Sequence, residues 1–169
     1  VFAENPALTE PNLNRVRAEF DDLDFLVVQD LFLTETAEHA DVILPGSTWA
    51  EKSGTVTNTD RQVMRMRPNA ALPGDVRRDF DIISEVGERV IEEYADLQED
   101  ADVAGHAEVD DPGSIMGFEG PGEAFDEMTA VNPIYAGMAY DDVGEGSLRW
   151  PYPAGADEGV GVLHGETFS

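Results

Sequence analysis

Apolar residues along this chain fall into two kinds of pattern, and each predicts a different element. Leu13, Val16 and Phe20 recur at helical spacing, so a helix is expected over residues 11–21, with Pro11 suited to its first turn. Phe25 to Val28 is instead an unbroken apolar run. Its brevity and β-branching predict a strand buried on both faces, as in a parallel sheet. Val42-Ile-Leu is a second such run and stops at Pro45, while Thr34-Glu-Thr-Ala between the two opens a short helix with Thr34 as its cap. Strand, helix and strand make a βαβ unit, whose ligand-facing loops lie at the carboxyl ends of the strands. Those ends are Gln29-Asp30 and Pro45-Gly46-Ser47.

Further along, Thr55-Val-Thr and Val63 to Arg67 alternate as extended segments around a turn at Asn58-Thr-Asp60. Phe80, Ile83, Val86, Val90 and Ile91 then mark an amphipathic helix across residues 77–94, whose apolar face needs a sheet to cover. From Asp96 to Gly120 the pattern dissolves into Asp, Glu, Ala and Gly, as in a solvated acidic loop. Phe125 and Met128 predict a short helix over residues 121–130. Irregular chain around aromatic anchors is expected at Asn132-Pro-Ile-Tyr and Trp150-Pro-Tyr-Pro, and a strand or linker at Gly159 to Ser169. The expected organisation is an α/β segment over 1–94, an acidic insertion over 95–120, and short helices with a linker over 121–169. The fold class is α/β, part of a doubly wound, mostly parallel sheet with an irregular acidic C-terminal half.

Charge changes this picture. Among 169 residues, 36 Asp and Glu face 10 Lys and Arg, a formal net charge of -26, so nucleic acid would be repelled over most of the surface. The acids are spread through segments with clear apolar periodicity, which points to a folded acidic surface rather than a disordered tail. We expect a halophilic protein, because concentrated salt screens such self-repulsion. The absence of cysteine excludes disulfides, cysteine ligands to an iron-sulfur cluster and a thiol nucleophile within these residues. Neither a run of 18 apolar residues nor a basic leader is visible, so no membrane insertion and a cytoplasmic location are expected. VFAENP reads as the tail of a strand running into a turn, as if taken from something longer.

His39, His106 and His164 lack metal-site spacing, and the serines have no nucleophile-elbow context; GxxxxGK[ST] and GxGxxG are also absent. What remains is a binding chemistry. A carboxylate at a strand end can accept two parallel hydrogen bonds from a flat ligand such as guanine, and Asp30 is placed for that; the alternative is that Gln29-Asp30 only closes the following turn. Lys52, the only lysine, could hold a phosphate or base oxygen, or form an ordinary surface ion pair.

Asn5-Pro6, then VVQDLFLTETAEHADVILPGSTWAEKSGTVTNTDRQVMRMR, then Pro73-Gly-Asp-Val-Arg-Arg-Asp-Phe-Asp-Ile-Ile, resemble the large catalytic subunits of the molybdenum or tungsten bis(pyranopterin guanine dinucleotide) oxidoreductases, the dimethyl sulfoxide reductase family, and above all formate dehydrogenase alpha subunits. The likeness runs from about residue 2 to 94 and resumes at Phe125-Asp-Glu-Met, Tyr135-Ala-Gly-Met-Ala-Tyr and Leu148-Arg-Trp-Pro-Tyr-Pro. It implies a bis(molybdopterin guanine dinucleotide) cofactor with Mo or W, gripped at its guanosine and diphosphate by Asn5 with Thr9, by Gln29 and Asp30, by Lys52 and by Asp79. Gly46 stands where several relatives carry a hydroxyl residue, which leaves its backbone or Ser47 to make any contact there. The resemblance places the metal ligand, a 4Fe-4S cluster and a C-terminal barrel elsewhere in a longer catalytic subunit. It further implies electron-transfer subunits as partners and a small-molecule substrate, formate being oxidised to carbon dioxide. Another substrate within the family, or a stand-alone acidic module that binds nucleotide or a partner, are the alternative readings.

Overall fold

The computed structural model describes residues 1–100, 117–145 and 148–163. The chain divides into two compact units, Val1–Lys52 with Asn69–His106, and Ser53–Pro68 with Ala107–Ser169.

In the first unit, a short helix α1 (Pro6–Thr9) has Pro at its start, and α2 covers Leu13–Asp21. Helix α2 begins two residues later than the periodicity suggests, because Asn12 takes a left-handed backbone (φ 60) and breaks the helical path after Pro11. Strand β1 (Val27–Asp30) pairs in parallel with β2 (Val42–Pro45), in the register Val28 to Ile43 and Gln29 to Leu44. A 3-10 turn at Ala37–His39 joins them; its N-cap is Thr36 rather than the expected Thr34, whose Oγ1 accepts the Ala37 N–H at 3.3 Å from the preceding turn. On the other edge of β1, Phe2 forms an isolated parallel bridge to Gln29.

Leu26, Val28 and Ala37 form the core of this unit, packed by Val1, Phe20 and Ala40. The expected double burial is only half present. Phe25 precedes β1 and is 63% exposed, and Val42 and Ile43 are also exposed, since β2 pairs only with β1 among the described residues. Helix α3 (Asp79–Asp100) starts close to the expected position and runs past the expected end at residue 94. Asp79 and Asp81 lie in its first turn, where carboxylates complement the positive end of the helix dipole. Ile82 is buried on its inner side, whereas Ile83, Val86 and Val90 remain exposed. Glu85 accepts hydrogen bonds from Arg77 and Arg89, which hold its carboxyl below the ordinary range.

In the second unit, β3 (Gly54–Thr57) and β4 (Gln62–Met66) form the expected antiparallel hairpin. Helix α4 (Pro121–Val131) matches its expected span, and the Glu119 N–H donates to the Glu123 carboxylate at its start. Helix α5 (Tyr140–Glu145) and β5 (Leu148–Arg149), which pairs with β4, make the C-terminal half more regular than its polar composition suggests. Their core is Val63, Phe125, Met138, Tyr140 and Val143. Arginines staple this unit: Arg65 donates to the Tyr140 carbonyl and lies over its ring, and Arg67 donates to the Gly144 carbonyl.

The described strands form a two-stranded parallel sheet and a three-stranded antiparallel one. They show a mixed α/β architecture and are too few to display a doubly wound order. Most of the acidic stretch expected over 95–120, with His106, His164 and residues 164–169, lies outside the described residues. No described helix is long and apolar enough to cross a membrane.

Candidate functional site

The carboxyl ends of β1 and β2 open onto a small crevice, lined by Gln29, Asp30 and Leu31 from the first strand end and Gly46, Ser47 and Trp49 from the second, with Lys52 and Asp79. Its volume of about 80 Å³ is well below the roughly 300–1,000 Å³ of pockets that enclose a whole ligand. It is therefore shaped to take the edge of a larger molecule.

Parallel pairing carries Gln29 and Asp30 to the same level as Leu44 and Pro45, and the Gly46 N–H continues the ladder to the Asp30 carbonyl at 3.1 Å. Asp30 Oδ1 accepts the Leu31 N–H at 2.6 Å and the Phe32 N–H at 3.4 Å, so Asp30 does close the following turn. A carboxylate has about four acceptor sites, and these two bonds leave Oδ2 without a donor among the described residues.

Asp79, at the start of α3, is engaged on both oxygens. Oδ1 accepts from Gln29 Nε2 at 2.7 Å, and Oδ2 pairs with Lys52 Nζ. The ion pair is partly buried, with about a quarter of each side chain exposed. Gly46 makes room for it, since a Cβ at that position would come within 2.8 Å of Asp79 Oδ1. A side chain at residue 46 would displace the carboxylate that holds Gln29 and Lys52.

Two buried atoms of this crevice have no hydrogen-bond partner among the described residues: Gln29 Oε1 and Ser47 Oγ. Both residues are 2% exposed. A buried polar group left unpaired costs roughly 1–3 kcal/mol, and these two atoms belong to residues that line the strand-end crevice. The other such atom, Trp150 Nε1, belongs to the second unit.

Four of the six residues expected to bind ligand, Gln29, Asp30, Lys52 and Asp79, thus meet at one crevice. Asn5 and Thr9 are not among its lining residues. Asn5 Oδ1 accepts from both the Thr36 N–H and its hydroxyl, Asn5 Nδ2 donates to Glu35, and Thr9 donates to the Asn5 carbonyl. Asn5 holds the Glu35 carboxyl below its ordinary range and anchors Thr36, which is fully buried. Replacing Asn5 by Ala would leave the Thr36 amide and hydroxyl without this acceptor. We expect a stability loss of about 1–3 kcal/mol, read from the denaturant midpoint.

Glu51 is a residue that the sequence reading passed over. Its carboxylate accepts the Thr48 N–H at 2.9 Å, while Thr48 Oγ1 accepts the Ala50 N–H at 3.2 Å, which locks the loop that delivers Ser47, Trp49 and Lys52. The signal was available: Thr48-x-x-Glu51 has the spacing of a capping box.

Comparison with known proteins gives these residues a context. Residues 1–89 match the family model described as molybdopterin oxidoreductase. The chain is 38% identical over 168 residues to the F420-dependent formate dehydrogenase 2 subunit alpha of Methanococcus maripaludis, covering 99% of this chain and 22% of that protein. It is 35% identical over 166 residues to the formate dehydrogenase 1 subunit alpha of the same organism, covering 98% of this chain and 22% of that one. The chain thus spans about a fifth of the length of these relatives.

Proposed function

The chain belongs to the molybdopterin oxidoreductase family, and on that premise we propose that the strand-end crevice grips the guanine end of a bis(molybdopterin guanine dinucleotide) cofactor within the catalytic subunit of a formate dehydrogenase. Family membership itself implies a molybdopterin cofactor carrying Mo or W. When bound, that metal centre supplies the two-electron chemistry by which formate becomes carbon dioxide; the residues of this chain bind and orient.

The observation that carries the reading is the convergence of Gln29, Asp30, Lys52 and Asp79 on one strand-end crevice, with one oxygen of Asp30 free of a donor among the described residues. Guanine offers adjacent N–H donors and a carbonyl oxygen on one edge. Asp30 Oδ2 is an acceptor for the first, and Lys52 Nζ is a donor for the second. Asp79 would act at one remove, since its oxygens are engaged by Gln29 and Lys52 and fix both heads toward the crevice.

Lys52→Met tests this reading. Removing the ammonium should lower cofactor retention by the full-length subunit about tenfold. Full retention of guanine nucleotide, measured after acid release, would count against the proposal.

Formate as substrate rests on the names of the relatives, because no residue of this chain is assigned to the reacting centre. Formate-dependent reduction of a dye by the full-length subunit tests it, with nitrate and sulfur oxyanions as competing substrates. The exposed apolar residues Phe25, Val42, Ile43 and Val90 would be covered by the remainder of the catalytic subunit, and electrons would leave through partner subunits. The net charge of -26 on these residues supports the reading that the parent protein works in concentrated salt, which screens such self-repulsion.

A further inference from the structure

Trp49 lines the crevice and is nonetheless 71% exposed. An indole in that position is neither core nor ion-pair partner. Its backbone is held on both sides: Thr48 and Glu51 close the loop around it, and the neighbouring Ala50 carbonyl accepts the Asn69 and Ala70 N–H groups at 2.9 and 3.1 Å. The side chain is therefore presented from a fixed loop, which lowers the ordering cost of any contact it makes. The same crevice presents the charged groups of Asp30 and Lys52 beside the apolar side chains of Ala3 and Leu31. One aromatic wall beside hydrogen-bonding groups suits a flat heteroaromatic ring, which has a π face and a polar edge. An apolar ligand would leave the polar groups unsatisfied, and a phosphate would leave the indole bare.

We propose that Trp49 is a stacking residue for the base held in this crevice, adding affinity through the ring face while Asp30 and Lys52 read its edge. The inference rests on the reading that a guanine end binds here. Base-aromatic stacking of ordinary strength corresponds to roughly 5- to 150-fold in affinity.

The test uses the full-length subunit, with guanine nucleotide released by acid and counted per polypeptide after extended dialysis. Trp49→Ala should lower retention by about that factor. Trp49→Phe should restore most of it, since a smaller ring still stacks. Asp30→Asn serves as the reference. If Trp49→Ala retains the nucleotide while Asp30→Asn loses it, the crevice reading stands and the stacking role is overturned. If both retain it, the crevice reading itself falls. If Trp49→Ala loses it and Trp49→Phe does not recover it, the indole acts otherwise than by stacking, and the proposal is wrong.

Discussion

Asp30→Asn in the full-length subunit is expected to lose guanine nucleotide and metal together, by about tenfold to a hundredfold, with little change in folding. Asparagine keeps the Oδ1 acceptor used by the Leu31 and Phe32 N–H groups at 2.6 and 3.4 Å, so the turn after β1 survives. What changes is the second head atom, which becomes a donor facing the donors of guanine. Hydrogen bonds to a charged group contribute about 1.5–3 kcal/mol each, and an inverted donor adds repulsion, which gives the expected range. Asp30→Ala should lose the cofactor equally and also loosen the turn. The comparison therefore separates ligand binding from turn closure, the two roles between which the sequence could not choose. Undiminished nucleotide and metal in the asparagine variant would remove Asp30 from the site.

The second large effect concerns salt. With 36 acids against 10 bases, the folded chain holds like charges near one another; Glu88 and Glu92, both exposed, are neighbours one turn apart on α3. Ion pairs such as Arg89 with Glu85 offset only a few of them. Raising ionic strength from 0.1 to 1 M shortens the Debye length from about 10 to 3 Å, which suppresses repulsion between exposed charges. Relief of that repulsion should raise the melting temperature steadily with added salt. The check is a thermal melt of the full-length subunit across a KCl series, with sorbitol at matched osmolality as control. A flat or falling melting temperature would overturn the assignment to concentrated salt.

Much of the first unit was legible because its strands are short apolar runs that stop at polar or proline residues. Yet β1 lies two residues further along than its apolar run, at Val27–Asp30 rather than Phe25–Val28. Hydropathy does not mark Gln29 and Asp30 as strand, whereas pairing to Leu44 and Pro45 makes them so. The hairpin and α4 announced themselves by alternation and by helical spacing. Strand β5 did not, since two residues, Leu148 and Arg149, carry no periodicity and exist as a strand only through β4.

The site was legible in part for a similar reason. Gln29, Asp30 and Lys52 sit at strand ends and a loop that the βαβ pattern already placed together. Asp79 adopts its role through Gln29, fifty positions away, and Asn5 takes its place through Thr36, thirty-one away. Such pairings follow from packing and from no local pattern. The unpartnered atoms of Gln29 and Ser47 belong to the same class: burial creates them, and a sequence carries no sign of it.

The most direct measurement is an experimental structure of the full-length subunit with its cofactor bound. The account expects a guanine ring at the ends of β1 and β2, with its N–H donors within about 3.2 Å of the Asp30 carboxylate. A cofactor whose guanine lies elsewhere, with this crevice filled only by solvent, would contradict it.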